Sequence, residues 1–290
     1  MARRHYYDPT DVLHPVVRNV ARAVILLGII VPVGYMLLMS VTPNVEVAAG
    51  TLWPSHFSWS HYITMWAGTG LGAGMVNSII ICGSASGAAV LFGAVAGYVS
   101  SRARFRGRTG FLTLLLGFQS IPTVMVLLPL VIVMAGIQGL LHIAVIGTYW
   151  AVAVAYLTFS LPLVTWFVAA YVDSVPRDLD DAARLDGASM PQAFIRVIIP
   201  MIVPALAVAG LLSFLVGWGD LLIATAISGP GTHTVAVALN QFLSNEEGQA
   251  LPQYGTLMAA SVASALPVVV LYIGLQRFVV AGLTGASVKA

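Results

Sequence analysis

A chain of 290 residues that is 59% hydrophobic and only 8% charged, with a mean hydropathy of +0.92, cannot cover itself with a solvated surface, and its natural solvent is lipid. Thirteen Lys and Arg against eleven Asp and Glu leave a net charge of +2, too small for a nucleic-acid surface. The single cysteine, Cys82, excludes an intrachain disulfide and a cysteine-built metal cage, and the six histidines do not cluster, so no metal site is expected.

Residues 1–22 form a polar N-terminal segment. The apolar run after it is too long for the core of a signal peptide and reads as a retained first span, residues 23–41, with Pro32 inside it as a kink. A segment rich in aromatic and polar residues follows to residue 70, and span 2 covers 71–100, ending at the basic cluster Arg102, Arg104, Arg106 and Arg108. Residues 109–172 contain no charged side chain, and 64 residues are too many for one crossing and suit two. Gly136, Gln138, Gly139 and His142 mark the expected turn, giving span 3 at 111–134 and span 4 at 143–171. A polar loop, 173–198, precedes span 5 at 199–225. A second loop, 228–254, holds Glu246 and Glu247 but no Lys or Arg, and span 6 covers 255–275. The tail is 276–290, so the permeation domain is 23–275.

With six crossings, all thirteen cations fall on one side of the membrane. The excess of Lys and Arg in cytoplasmic loops then places both termini, and loop 173–198, inside the cell. The fold class is all-α and polytopic, because lipid offers the backbone no other hydrogen-bond partner and the long apolar runs do not alternate as barrel strands would. The cluster Arg102–Arg108 reads as a topology signal and a lipid-headgroup anchor.

Loop 173–198 is the most legible segment. Pro176 suits a helix start, Asp178, Asp180 and Asp181 load the first turns with negative charge, and Ala182 and Ala183 form a small-residue face. Gly187 can take the left-handed conformation that ends a helix, a second short helix spans 190–198, and Pro200 marks the return to span 5. The expected unit is a helix–turn–helix along the membrane surface.

Asp181-Ala182-Ala183, then Gly187, then Val197-Ile198-Ile199-Pro200, resembles the EAA loop of permease subunits in binding-protein-dependent ABC importers, with Asp181 in place of Glu. Asp186-Gly187-Ala188 is similar to the carbohydrate-uptake branch. The residues from Ala94 to Arg108, the pair Asn77-Ser78, and the closing pattern Gln276-Arg277, Gly282-Leu283-Thr284 and Val288-Lys289-Ala290 resemble the second permease of maltose-type importers. The resemblance implies that Asp181, Ala182, Ala183, Arg184, Asp186, Gly187, Ala188 and Pro200 couple the chain to an ATPase, and that the tail, through Gly285 and Lys289, makes a second contact. It implies a second homologous permease, two ATP-binding cassette subunits and an extracellular solute-binding protein as partners, beside membrane lipid, in a bacterial plasma membrane. The loop 228–254 reads either as a plain connector or as a contact for the binding protein. No P-loop motif is present and Lys289 is the only lysine, so this chain binds no cofactor itself; ATP and Mg would be handled by the partner subunits, and the chain is not an enzyme.

Three polar residues stand as candidates for lining a pathway: Asn77, Gln119 and Asp220. Asp220 is the one carboxylate near a span interior, and it either reaches headgroup water from a helix end or hydrogen-bonds a sugar hydroxyl. For Asn77 and Gln119, hydrogen bonding within the protein competes with solute contact. The alternative function is a secondary transporter driven by an ion gradient, which calls for ionisable groups deep in the spans.

Overall fold

The computed structural model describes residues 15–103, 105–246 and 251–287. Every regular element among them is helical. In chain order these are α1 (Pro15–Met39), α2 (Asn44–Ala48), α3 (Ser60–Gly68), α4 (Leu71–Arg102), α5 (Arg108–Gln119), α6 (Thr123–Leu141), α7 (Tyr149–Ser174), α8 (Asp178–Leu185), α9 (Met190–Ala193), a π segment (Phe194–Ile198), α10 (Ile199–Trp218), α11 (Leu222–Ile227), α12 (Val235–Glu246) and α13 (Tyr254–Ser287). Six stretches are long and apolar enough to cross a membrane: Pro15–Met39, Leu71–Arg102, Thr123–Leu141, Tyr149–Ser174, Met190–Trp218 and Tyr254–Phe278. The all-α, six-span class is therefore the one found.

The chain divides into two compact units. The smaller contains the described residues up to Trp66 together with Asn245–Ala263. Its organiser is His61, buried at 5% exposure. His61 Nε2 lies 2.9 Å from the Thr42 carbonyl, which can only accept, so Nε2 carries the proton and Nδ1 accepts from the Thr256 hydroxyl at 3.1 Å. A Cβ at Gly255 would stand 2.8 Å from His61 Nε2 and from Asn44 Oδ1, so only glycine allows this approach. Ser55 donates to Glu46 through its hydroxyl and its amide, which holds that carboxyl below the usual carboxylate range.

The larger unit is centred on α4, α7 and α10. Without a hydrophobic drive between helices in lipid, close backbone approach supplies the contact, and small residues permit it. α4 buries Gly74, Ser78, Ala85, Ala89, Gly93 and Gly97 along one stripe. An added Cβ at Gly93 would lie 2.6 Å from Val164 Cγ1, and one at Gly97 would lie 2.8 Å from Val168 Cγ1 and 3.0 Å from the Ala169 amide nitrogen. Gly97→Leu is expected to destabilise by about 1–3 kcal/mol through overpacking, because the neighbour is partly backbone and cannot yield. An unchanged thermal unfolding midpoint in detergent would refute this close packing. Val164, Val168, Val172, Ile198 and Ile202 complete the core, whereas α1 buries only Met39 and presents its remaining apolar length outward.

Several expected boundaries move. Residues 15–22, expected to precede the first span, are already helical in α1. The continuous span expected at 111–134 is broken into α5 and α6, because Pro122 has no N–H and disfavours helical geometry at Ile121. The turn expected at Gly136–Gly139 is helical, and α6 runs to Leu141 before His142 turns it at φ +52°. Gln138 explains the shift, since its Oε1 accepts from the amides of Val145 (3.1 Å) and Ile146 (3.2 Å). The expected span 199–225 ends at Trp218 and restarts as α11. The loop 228–254 contains α12, and α13 continues helically to Ser287 where a separate tail was expected from 276.

The return helix and span 5 form one rod, Met190–Trp218, of 29 residues. Pro200 cannot donate to the Arg196 carbonyl and its ring crowds the preceding turn. The π segment Phe194–Ile198 widens the rod immediately before it.

Candidate functional site

Two places in the larger unit gather the polar side chains singled out by the sequence. The first is the loop after α7. Asp180 and Ala183, three residues apart, occupy one face of α8 and are buried, while Asp181, Ala182, Arg184, Leu185, Asp186 and Gly187 are exposed. Ala182 and Ala183 thus do not share a face, contrary to expectation. Leu185 is 90% exposed, and sequence reasoning passed over it. α8 ends in a Schellman turn: the Gly187 amide donates to the Arg184 carbonyl (3.0 Å) and the Ala188 amide to the Ala183 carbonyl (2.9 Å), with Gly187 at φ +83°. Ser189 then opens the rod, its amide donating to Gln192 Oε1 at 2.8 Å.

Beneath this face lies a buried charge cluster. Arg102 Nε sits 2.8 Å from Asp180 Oδ2, with the two side chains 5% and 7% exposed; the contact is an ion pair without the alignment of a hydrogen bond. The Tyr98 hydroxyl donates to Asp180 Oδ1 (2.8 Å), Arg102 Nη2 donates to the Val175 carbonyl (2.9 Å), and the Tyr98 ring packs on Phe194 with centroids 4.6 Å apart. Arg177 donates to the Ser101 carbonyl (3.1 Å), Ser101 to Asp173 (2.6 Å), and Arg108 pairs with Asp173 at 2.9 Å. α4 is thereby fastened to both helices of the loop. Arg102 is an internal strut and not the headgroup anchor expected of it. Its i, i+4 spacing from Tyr98 was the sequence signal, since both project from one face of α4.

The second place is a cavity of about 210 Å³ beside the two helix interruptions, Ser120–Pro122 and Gly219–Leu221. Gln119 and Asp220 both line it. Gln119 Nε2 donates to the Phe159 carbonyl at 2.8 Å. The Tyr156 hydroxyl (3.1 Å) and the Ala224 amide (3.0 Å) both donate to Asp220 Oδ2. Tyr156 is fixed against Gly217, where a Cβ would stand 2.7 Å from its ring. Asn77 lies elsewhere. Its amide donates to the carbonyls of His233 (2.9 Å) and Gly231 (3.3 Å), and its oxygen accepts from the Tyr149 hydroxyl (2.7 Å), pinning the segment before α12. Pro200 stands within the rod behind the loop, Gly285 in the last turns of α13, and Lys289 lies outside the described residues.

A family described as the binding-protein-dependent transport system inner membrane component matches residues 89–285, a stretch that contains the loop, its buried cluster and the cavity. The chain belongs to this family. Among the permease's relatives, the trehalose transport system permease protein of Mycobacterium tuberculosis (strain CDC 1551 / Oshkosh) is 31% identical over 261 residues, covering 90% of this chain and 92% of that one. The maltodextrin transport system permease protein of Bacillus subtilis (strain 168) is 35% identical over 214 residues, covering 73% and 74%. The crystal structure of a bacterial ABC transporter involved in the import of the acidic polysaccharide alginate matches with a TM-score of 0.75 at 20% identity, covering 94% of this chain and 99% of that one, and shows a shared fold. Family and span count together make the permease a multi-pass inner-membrane protein.

Proposed function

We propose that this permease is the membrane-spanning subunit of an ATP-driven carbohydrate importer. The observation that carries the coupling role is the exposed face of α8, where Asp181, Ala182, Leu185 and Asp186 crown a loop braced from beneath by Arg102 and Asp180. An apolar side chain as exposed as Leu185 on a short polar helix suits insertion into a partner's cleft. The partner is an ATP-binding cassette subunit, where ATP and Mg are held and hydrolysed; this chain is no enzyme and binds no cofactor. A second homologous permease completes the pathway, a second cassette subunit docks on it, and an outer solute-binding protein delivers the cargo. Both termini and the α8 loop face the cytoplasm, so that Gly285 and Lys289 can offer the cassettes a second contact.

Because α9, the π segment and α10 run as one helical stretch, Met190–Trp218, a push on α9 is passed along it toward the far end of α10. Closure of the cassettes on ATP would draw the coupling loops together and open the pathway outward, and hydrolysis would reset it. Carbohydrate cargo is favoured by the trehalose and maltodextrin permeases among the relatives and by the polar, aromatic-walled cavity at Asp220. An ion-gradient transporter calls for several intramembrane charges, and Asp220 stands alone in its cavity. The test is purification of the tagged permease from its native membrane in mild detergent, with mass spectrometry of what accompanies it. A second permease, a cassette ATPase and a solute-binding protein are expected; recovery of this chain alone, beside other intact membrane complexes, would overturn the assignment.

A further inference from the structure

We propose that the cavity at the two helix interruptions is a solute subsite sized for a single sugar ring, so that this subunit itself contacts and selects the cargo. The inference rests on the carbohydrate reading above. The volume, about 210 Å³, is below the range of pockets that enclose drug-sized ligands and suits one six-membered ring, the remainder of a larger sugar lying outside it.

The lining is two-sided. Phe118 and Phe159, with ring centroids 5.9 Å apart and planes inclined at 41°, form an apolar wall with Leu163 and Val216. Asp220, Gln119 and Thr123 supply the polar side. A pyranose has the same division, with C–H faces that lie against aromatic rings and hydroxyls around its edge that donate to a carboxylate or amide oxygen. A bound cation would need oxygens on all sides, which the aromatic wall denies.

The carboxylate is prepared for this task. The Tyr156 hydroxyl and the Ala224 amide both hold Oδ2, and Tyr156 in turn is locked by Gly217. The Asp220 side chain is therefore fixed before any ligand arrives, which lowers the ordering cost of binding. Both helix interruptions border the cavity, where backbone unpaired by a regular helix is tolerated in a membrane because it lines a polar space.

The test uses the complete transporter, with its partner permease, cassettes and binding protein, in proteoliposomes. Cys82 is buried, so Thr123→Cys introduces the reactive thiol of this chain, and its labelling by a small methanethiosulfonate is followed by the mass of the chain. The probes are trehalose, maltose and methyl galactoside, each also measured for uptake. Saturable protection by a sugar that the transporter carries is expected, and Asp220→Asn in the same background should raise the sugar concentration for half-protection roughly tenfold, the size of one charge-assisted hydrogen bond. Ile121→Cys gives a second thiol on the cavity wall should the first variant fail to assemble. Equal labelling with and without a carried sugar overturns the subsite and leaves the importer reading standing. Protection by sodium chloride and not by sugar also overturns it. Uptake of none of the three sugars overturns a subsite for a trehalose, maltose or galactoside ring and leaves the family assignment standing.

Discussion

Replacing Arg102 by leucine is expected to remove about 3–5 kcal/mol of stability, the usual result of stranding one member of a buried ion pair. Asp180 would remain 7% exposed with only the Tyr98 hydroxyl to answer its charge. Against a total stability of about 5–15 kcal/mol, most of the protein should disappear from the membrane or unfold at a much lower temperature. Asp180→Leu should be less severe, because Arg102 keeps its bond to the Val175 carbonyl. The double replacement, apolar on both sides, should recover part of the loss, and the coupling between the two changes measures the pair itself. An Arg102→Leu protein that unfolds at the wild-type temperature would show that the pair contributes nothing.

The second large effect is expected at the end of α8. Proline fixes φ near −65°, whereas Gly187 sits at +83° and donates its amide to Arg184. Gly187→Pro destroys the Schellman turn that reverses the chain between α8 and α9. Its loss should leave the chain in the membrane in normal amount while sugar uptake falls at least tenfold, a barrier of about 1.4 kcal/mol or more. Leu185→Asp separates docking from folding. At 90% exposure the side chain contributes little to the fold, so stability should change by less than about 0.5 kcal/mol. If Leu185 anchors the contact with the cassette, its loss should weaken docking by about 2 kcal/mol or more, near thirtyfold. Normal uptake and normal cassette co-purification in the Leu185→Asp transporter would sink the docking face. Ala183→Trp tests something different from what the small-residue face suggests, because Ala183 points inward at 8% exposure and a tryptophan there acts through the fold.

The six spans were legible because lipid imposes one rule on every segment, and the positions of Leu71 and Tyr254 near helix starts follow from it, whereas span 4 starts at Tyr149, after the expected residue 143. The turn at Gly187 was legible because a glycine after a short acidic helix has few other uses. What escaped was anything decided by tertiary contact. Three aspartates in four residues read alike, and only the approach of Arg102 distinguishes Asp180 from Asp178 and Asp181. Gly93 and Gly97, four residues apart, carried the signature of close helix crossing but not the identity of the partner, which proved to be α7. Gln119 and Asp220 are 101 positions apart in sequence, and nothing local says that both border one cavity. Asn77 looked like a pathway residue by polarity alone, yet its amide is engaged by Gly231, His233 and Tyr149. His61 is one of six histidines scattered through the sequence, yet it is buried at the centre of its own unit.

The π segment at Phe194–Ile198 sets a phase relation between the two ends of the rod. A wide turn holds one residue more than an α-turn, so the face of α9 is rotated by about 100° from where an uninterrupted helix would put it. Deleting any one residue from this segment would restore ordinary winding and swing Phe194 away from Tyr98, carrying the whole of α8 off its seat on Arg102. The number of residues between Gly187 and Pro200 is therefore expected to matter as much as their identity. The length of this segment thus fixes which side of α9 faces α4 for a given orientation of α10.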